Sequence, residues 1–519
     1  MADDTNGAEH NDIPTPPPLP GQVFIRPGID DRPDFEKALS DEDKAALARL
    51  TVKQNPRQPE PSGERPEVQA AQMNAGGAPI TAAARLDTAV PNLESSFLDL
   101  RDPMVDADGH RPTPVEMTRL NLGFALGAVL CSAPLAALNN VLVPVRIDAA
   151  AGAGRPYALA LLVALGVVAS LVTNAAVAVW SDHTRTEVGR RTVWIVAGGL
   201  VAAVFSLGLA VATSVVLLAV LWCLLQFGYA MMTTALSASF GERIPDKFRS
   251  RADAYRGIGL AVGQLAGALF GVLMVGSTSL AVDVCAAVFA VAGLATVLIL
   301  PRERSSVELR SQAITQDEFF ARYRMPKNAP NFTRAFVGRL AMTAGVSMVG
   351  VFSWYIVLYM VSAGDLGAAV PVMAAVALAS FAGGLIAAVV LGPIADRWED
   401  GRIPAVLACG VFVVALAVPI LTPTAAGVVA YAVLGGFAYA VFDGLAQRIG
   451  AAVLPDVRDA GRGLSVLNLA SHAGVILGVA LSAASLALFG TYLVLFPVAI
   501  VVVVVAAAET WSIHDEEAR

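Results

Sequence analysis

The chain has 519 residues, a formal net charge of −7, 56% hydrophobic residues and 15% charged ones. Soluble domains carry about 25% charged residues, so the composition argues against a soluble enzyme, and the shortage of bases argues against a nucleic-acid-binding surface. Cys131, Cys223, Cys285 and Cys409 stand alone inside apolar stretches with no CxxC or histidine spacing, which argues against a disulfide-stapled fold and against a metal site.

Charge and proline are unevenly spread. Residues 1–117 hold 21 of the 43 acids, 11 of the 36 bases and 16 of the 30 prolines. The result is an acidic, proline-rich tail ahead of a weakly basic apolar body. The opening MADDTNGAEHND has no basic region followed by a short apolar core, so it does not read as a secretory signal. Runs such as PTPPPLP and KQNPRQPEP carry too few large apolar residues to offset ordering entropy, and the tail is expected to be disordered. One stretch differs. In SDEDKAALARL, Ser40 caps and Ala45, Ala46, Leu47 and Leu50 share a face, giving either a transient helix or a helix within residues 35–52 that docks on a partner protein or on the cytoplasmic face.

From residue 119 onwards come twelve apolar runs, each of about 20 to 27 residues, long enough at about 1.5 Å per residue to cross a hydrocarbon core of about 30 Å. They fall near 119–144, 156–180, 192–213, 215–239, 255–276, 279–300, 335–361, 369–394, 403–421, 425–448, 463–486 and 489–508. The fold class is therefore an all-α membrane protein with 12 transmembrane helices. Loops after the even-numbered runs carry the arginines: Arg185, Arg190 and Arg191; Arg243, Lys247, Arg249 and Arg251; Arg302 to Lys327; Arg397 and Arg402; Arg458 and Arg462. On the other side stand Arg146 and Arg155. Positive loops stay inside, so both termini are expected in the cytoplasm, with the protein in the cytoplasmic membrane.

The body repeats. SDHTRTEVGRR from Ser181 parallels ADRWEDGR from Ala395, and IPDKFRSR from Ile244 parallels LPDVRDAGR from Leu454. Asp182 to Asp396 is a shift of 214 and Asp246 to Asp456 one of 210, so two loop pairs agree on a duplication of six helices. The expected segments are a tail at 1–117, six-helix halves at 118–300 and 335–510, a cytoplasmic loop at 301–334, and a short cytoplasmic end at 511–519.

Two six-helix halves with Asp/Arg/Gly loops at matching places resemble the major facilitator superfamily across residues 117 to 510. SDHTRTEVGRRTVWI further resembles the corresponding loop of glycoside, pentoside and hexuronide symporters and of sucrose-type sugar transporters. That resemblance implies alternating access and helices 1, 4, 7 and 10 around a central cavity. It implies a small-molecule solute, with protons as the coupling ion and no cofactor. Two departures bear on it. Helix 2 has no acid, with Ser170 and Asn174 where a sodium site would need carboxylates. Helix 5 reads GIGLAVGQLAG, with Gln264 where drug antiporters have proline.

Ionisable groups inside a membrane are costly and mark function. Asp443, His472 and Arg339 are the proton-coupling candidates. Asp443 can instead be permanently paired with an arginine such as Arg448, and His472 can be a packing histidine. Asn139, Asn140, Asn174, Gln226, Tyr229, Gln264, Trp354, Tyr355, Tyr439 and Asn468 are candidate substrate contacts or, alternatively, interhelical hydrogen bonds. Asp182, Arg185, Arg190 and Arg191, with Asp396, Arg397 and Arg402, form a candidate cytoplasmic gate if they bond helix ends of the opposite half; otherwise they are topogenic charges. The expected function is proton-coupled sugar or glycoside uptake. A proton-driven exporter and a non-transporting sensor or scaffold using the tail are the alternatives.

Overall fold

The computed structural model describes residues 104–107, 109–307, 325–326, 329–398, 401–453 and 460–513, and its regular structure is entirely helical. The docking segment 35–52, most of the central loop and the LPDVRD stretch lie outside the described residues. Helix α1 runs from Pro114 to Ala137, passes through a π-helical turn at Leu138–Leu142 and continues over Val143–Ala151. It starts earlier than its apolar run. Thr113 accepts from the Glu116 amide at 3.3 Å while Glu116 accepts from the Thr113 amide at 2.8 Å, a capping box followed by proline at the first position. The signal T-P-V-E was present in the sequence, and the folded body reaches back to Met104.

Eleven uninterrupted helical runs are long and apolar enough to span a membrane, the first of them 70 residues, Pro114–His183. As one rod it would measure about 105 Å. It is divided at Gly152–Gly154, where Gly152 takes a φ of +52° that residues with a Cβ rarely adopt. Helix α2, Arg155–His183, then runs back, which makes twelve spans among the described residues. The others are α3 Thr192–Val211, α4 Val215–Arg243, α5 Asp246–Leu273 and α6 Thr278–Ile299. Helix α7 is Pro330–Gly350, extended through Ser353–Tyr355 into a second π-helical turn, Ile356–Val361. Then come α8 Leu366–Arg397, α9 Arg402–Leu421, α10 Ala425–Ala452, α11 Ala460–Phe489 and α12 Leu495–Trp511.

Packing follows the repeat. In the first half α1 packs on α5 and α6, α3 on α4 and α6, and α2 on α4. In the second, α7 packs on α11 and α12, α9 on α10 and α12, and α8 on α10. The halves meet through α2 with α11 and α5 with α8.

Smaller features repeat as well. Ser214 caps α4 and Thr424 caps α10. Arg119 of α1 donates to the Ile299 carbonyl at the end of α6 (3.0 Å), and Arg334 of α7 donates to the Ser512 carbonyl after α12 (2.6 Å). A cation at a helix C-terminus is worth about 0.3–1 kcal/mol. The tightest seams are lined by glycine. A Cβ on Gly263 or Gly267 of α5 would fall 2.1 Å from Ser132 Oγ or 1.9 Å from the Ala133 carbonyl of α1. In the second half a Cβ on Gly478 of α11 would fall 2.2 Å from Ser347 Oγ of α7.

Candidate functional site

Chain direction defines two ends of the bundle: a terminal end, where α1 begins and α12 finishes, and a distal end. Three clusters of polar side chains occupy the terminal end of the first half, the interior of the second half, and the distal junction between them.

At the terminal end Arg191, 2% exposed, is surrounded by acceptors. It donates to Ser181 Oγ, to Asp182 and to Glu242, while its backbone N–H faces the Glu303 carboxylate at 3.1 Å. Arg190 reaches the same Glu242 at 2.7 Å. Burial disfavours the charge on Arg191, yet Glu242 and then Asp182 hold its guanidinium above the ordinary arginine value, so it stays charged. Arg185 donates to the Asp182 carbonyl at 2.7 Å. The four first-half gate candidates are therefore drawn together by bonds within their own half. Arg402 donates to the Ile513 carbonyl in the second half. The side chains of Asp396 and Arg397 lie outside the described ones. Glu242 and Glu303, central to this network, were not among the sequence candidates; Glu242 stands in GERIPDKFR beside the repeated loop element, which was the available signal.

Two of the three intramembrane candidates are joined. Arg339 Nη2 of α7 donates to Asp443 Oδ1 of α10 at 3.1 Å, and Arg339 Nε donates to Ser471 Oγ of α11 at 2.8 Å. Gln447, one turn after Asp443, donates to Oδ2 at 3.2 Å. Tyr439 lies beside Thr343 and close to both charges. Arg339 lies nine residues after Pro330 and Asp443 nine before Ala452, so each is about 14 Å from the terminal end of its helix. The arginine paired with Asp443 is Arg339. His472 donates from Nδ1 to the Asn468 carbonyl at 3.0 Å, which fixes its tautomer.

The uncharged candidates scatter. Asn139, exposed, and Asn140, half-buried, sit on the π-helical turn of α1. Asn174 accepts from Thr234 Oγ1 at 2.6 Å, tying α2 to α4. Gln226 is half-buried near Gly166, and Tyr229 packs edge-on to Phe289 at 6.3 Å within the first half. Gln264 is exposed on α5. Trp354 is fully buried with its Nε1 lacking a partner.

Tyr355 belongs to the third cluster, which the sequence reading did not assemble. Its hydroxyl donates to the Pro144 carbonyl of α1 at 2.8 Å. Tyr359 donates to Asp148 Oδ2 and receives Arg155 Nη1 at 2.8 Å, with the guanidinium 3.9 Å above its ring. Arg155 is also paired with Asp148 at 2.7 Å, and Tyr492 stacks on Tyr359 at 6.3 Å. These bonds join the two halves at the distal end. The signal was Arg155, one of two arginines on the poorly charged side.

The bundle is similar in fold to solved transporters. A mutant form of the nucleoside transporter NupG gives a TM-score of 0.61 at 14% identity, covering 76% of this chain and 100% of that one. A bacterial homolog of the human lysosomal transporter Spinster, in an inward-facing and unoccupied conformation, gives 0.56 at 18% identity, covering 77% and 97%. No curated protein matches the sequence. The profile of the Major Facilitator Superfamily matches residues 124–364 and 343–518. With the repeated six-helix packing described above, this multi-pass membrane protein belongs to the major facilitator superfamily.

Proposed function

We propose that the protein is a proton-coupled importer of a small polar solute of the sugar or glycoside class, working by alternating access in the cytoplasmic membrane. The observation that carries the reading is the Arg339–Asp443 pair, which links α7 to α10 beside α11, a helix that also contacts the other half. A buried ion pair is weak evidence for stability, because desolvation offsets much of its attraction. Its retention at membrane depth fits a carboxylate that exchanges a proton when the helices shift.

The arginine bias puts the terminal end, with both chain termini, in the cytoplasm. The Asp148–Arg155–Tyr359 cluster then closes the outer side, so the described state is shut to the outside. On this reading Asp182, Arg185, Arg190 and Arg191, with Asp396, Arg397 and Arg402, engage across the inner side in the opposite state. Asn139, Asn140, Gln226, Tyr439 and Asn468 are retained as solute contacts. One proton entering down a gradient of one pH unit supplies about 1.4 kcal/mol, enough for roughly tenfold accumulation of the co-transported solute.

The test is uptake by proteoliposomes containing a pH-sensitive dye, with a panel of sugars and glycosides outside. Wild-type protein should acidify the lumen as the solute enters. Asp443→Asn should abolish uphill accumulation and spare counterflow. Undiminished accumulation by this variant would remove Asp443 from the coupling step.

A further inference from the structure

The two members of the intramembrane pair are held differently. The Arg339 side chain is 8% exposed and is anchored through Nε to Ser471, whereas the Asp443 side chain is 35% exposed. Only one bond joins them, at 3.1 Å, longer than the roughly 2.7–2.9 Å of a good charge-assisted contact. A guanidinium offers five N–H donors in a planar fork suited to a bidentate carboxylate, and Asp443 engages one edge of it. The second Asp443 oxygen is held by Gln447, a neutral amide. The cation is thus the fixed element, and the carboxylate is the exchangeable one, turned toward open space.

Protonating Asp443 has a definite consequence here. Its carboxylate gains a hydrogen and loses its charge, and the Arg339 cation is left without compensation in a low-dielectric setting, which is strongly unfavourable. The other charged or titratable groups on the surrounding helices make no bond to Arg339: on α7 Arg334 donates to the Ser512 carbonyl, and the α12 carboxylate, Glu509, is bonded to neither member of the pair. On α10, Tyr439 is neutral and Arg448 is a second cation. On α11, His472 is committed through Nδ1 to the Asn468 carbonyl. The described side chains of α8 include no titratable group, and on α9 Arg402 is bound to the Ile513 carbonyl while Cys409 is buried.

We infer that the solute carries one carboxylate, which takes the place of Asp443 on the Arg339 guanidinium and on the Gln447 amide as Asp443 accepts a proton. The inference rests on the pair being the coupling site and narrows the solute class proposed above to its acids: a polar organic monoanion such as a sugar acid. The overall step is electroneutral. One proton binds Asp443, one anion binds Arg339, and both are released when the second half presents them to the other side, the proton first. Return of Asp443 to Arg339 after its proton departs displaces the anion, so unloading needs no further ion.

The test uses the full-length protein, wild type and variants, with monocarboxylates (gluconate, quinate, mandelate) paired with neutral counterparts (sorbitol, inositol, benzyl alcohol). In detergent, at least one monocarboxylate should raise the melting temperature, more at pH 5.5 than at pH 8, while the neutral members do not. In proteoliposomes the stabilising acid should enter with an imposed pH gradient and be indifferent to an imposed potassium-diffusion potential. Arg339→Gln should reduce its uptake by about tenfold or more, equivalent to about 1.4 kcal/mol of lost binding, and Arg339→Lys should restore part of it. The double variant Arg339→Gln with Asp443→Asn leaves no buried charge unpaired, and its melting temperature without acid should stay near that of the wild type, so that loss of acid stabilisation reports binding and not misfolding. Absence of stabilisation by every acid in the panel overturns the inference. Potential-driven uptake of a neutral member that survives Arg339→Gln also overturns it, while leaving proton coupling at Asp443 standing. Accumulation that persists in Asp443→Asn, by contrast, would defeat the underlying coupling assignment.

Discussion

Tyr359 concentrates more of the distal junction than any other side chain. Its hydroxyl donates to Asp148 and accepts from Arg155, and its ring packs against both the Arg155 guanidinium and Tyr492. Tyr359→Phe keeps the ring and deletes the hydroxyl. Hydrogen bonds to charged groups are worth about 1.5–3 kcal/mol, so the variant should shift the balance toward the distally open state by roughly one to two orders of magnitude. The check is labelling of a single cysteine placed at Asn139, in a background without the four native cysteines, by an impermeant maleimide added from the distal side. Unchanged labelling would show that the hydroxyl does not hold the junction. The sequence marked Arg155 and Tyr355 individually, but Asp148, Arg155, Tyr359 and Tyr492 lie on four separate segments, and no local pattern announces that they converge. Arg339 and Asp443 were legible for a different reason, since a charge within an apolar run is visible wherever its partner lies; their pairing, across 104 positions, was not.

At the scale of elements, the glycines of α5 form a close-packing stripe against α1, because helix seams without a strong hydrophobic drive depend on small residues. Gly267 is the sharpest case, its would-be Cβ falling 1.9 Å from the Ala133 carbonyl, whereas Gly257 on the same helix has nothing within 4 Å. Gly267→Ala must push α1 and α5 apart and should cost about 1–3 kcal/mol, while Gly257→Ala should be neutral or stabilising by up to about 1 kcal/mol. Melting temperatures of the two variants in the same detergent decide the matter; equal values would mean that the seam yields easily. The π-helical turns were not legible. Each inserts an extra residue into a helix whose sequence remains apolar and helix-compatible, and only tertiary packing reveals it. They occupy matching places in α1 and α7, where Tyr355 meets Pro144.

For the whole molecule, the duplicated architecture was legible because hydrocarbon thickness, arginine bias and loop repeats are each set by physics that survives in a linear string. The junction between tail and bundle was less so. The Ala107 amide donates to the Glu242 carbonyl at 2.9 Å, and the His110 amide donates to Asp106 Oδ1 at 2.8 Å, so the residues leading into α1 rest on the end of α4. Removing residues 1–100 should leave uptake unchanged. Removing residues 1–113 deletes that contact and the Thr113 cap, and should lower stability by about 1 kcal/mol or more. A thermal-melt comparison of the two truncations, alongside uptake assays, tests both statements; loss of uptake in the shorter deletion would give the tail a direct part in transport.

The distal junction is chemically lopsided. Asp148 and Arg155 come from one half and are already joined to each other, while the opposing half contributes tyrosines alone. When the halves part there, neither ion loses its counter-charge, and only neutral phenols trade protein contacts for water. The outer door can therefore swing without stranding an ion, which leaves the driving force to act on the solute instead of on the hinge.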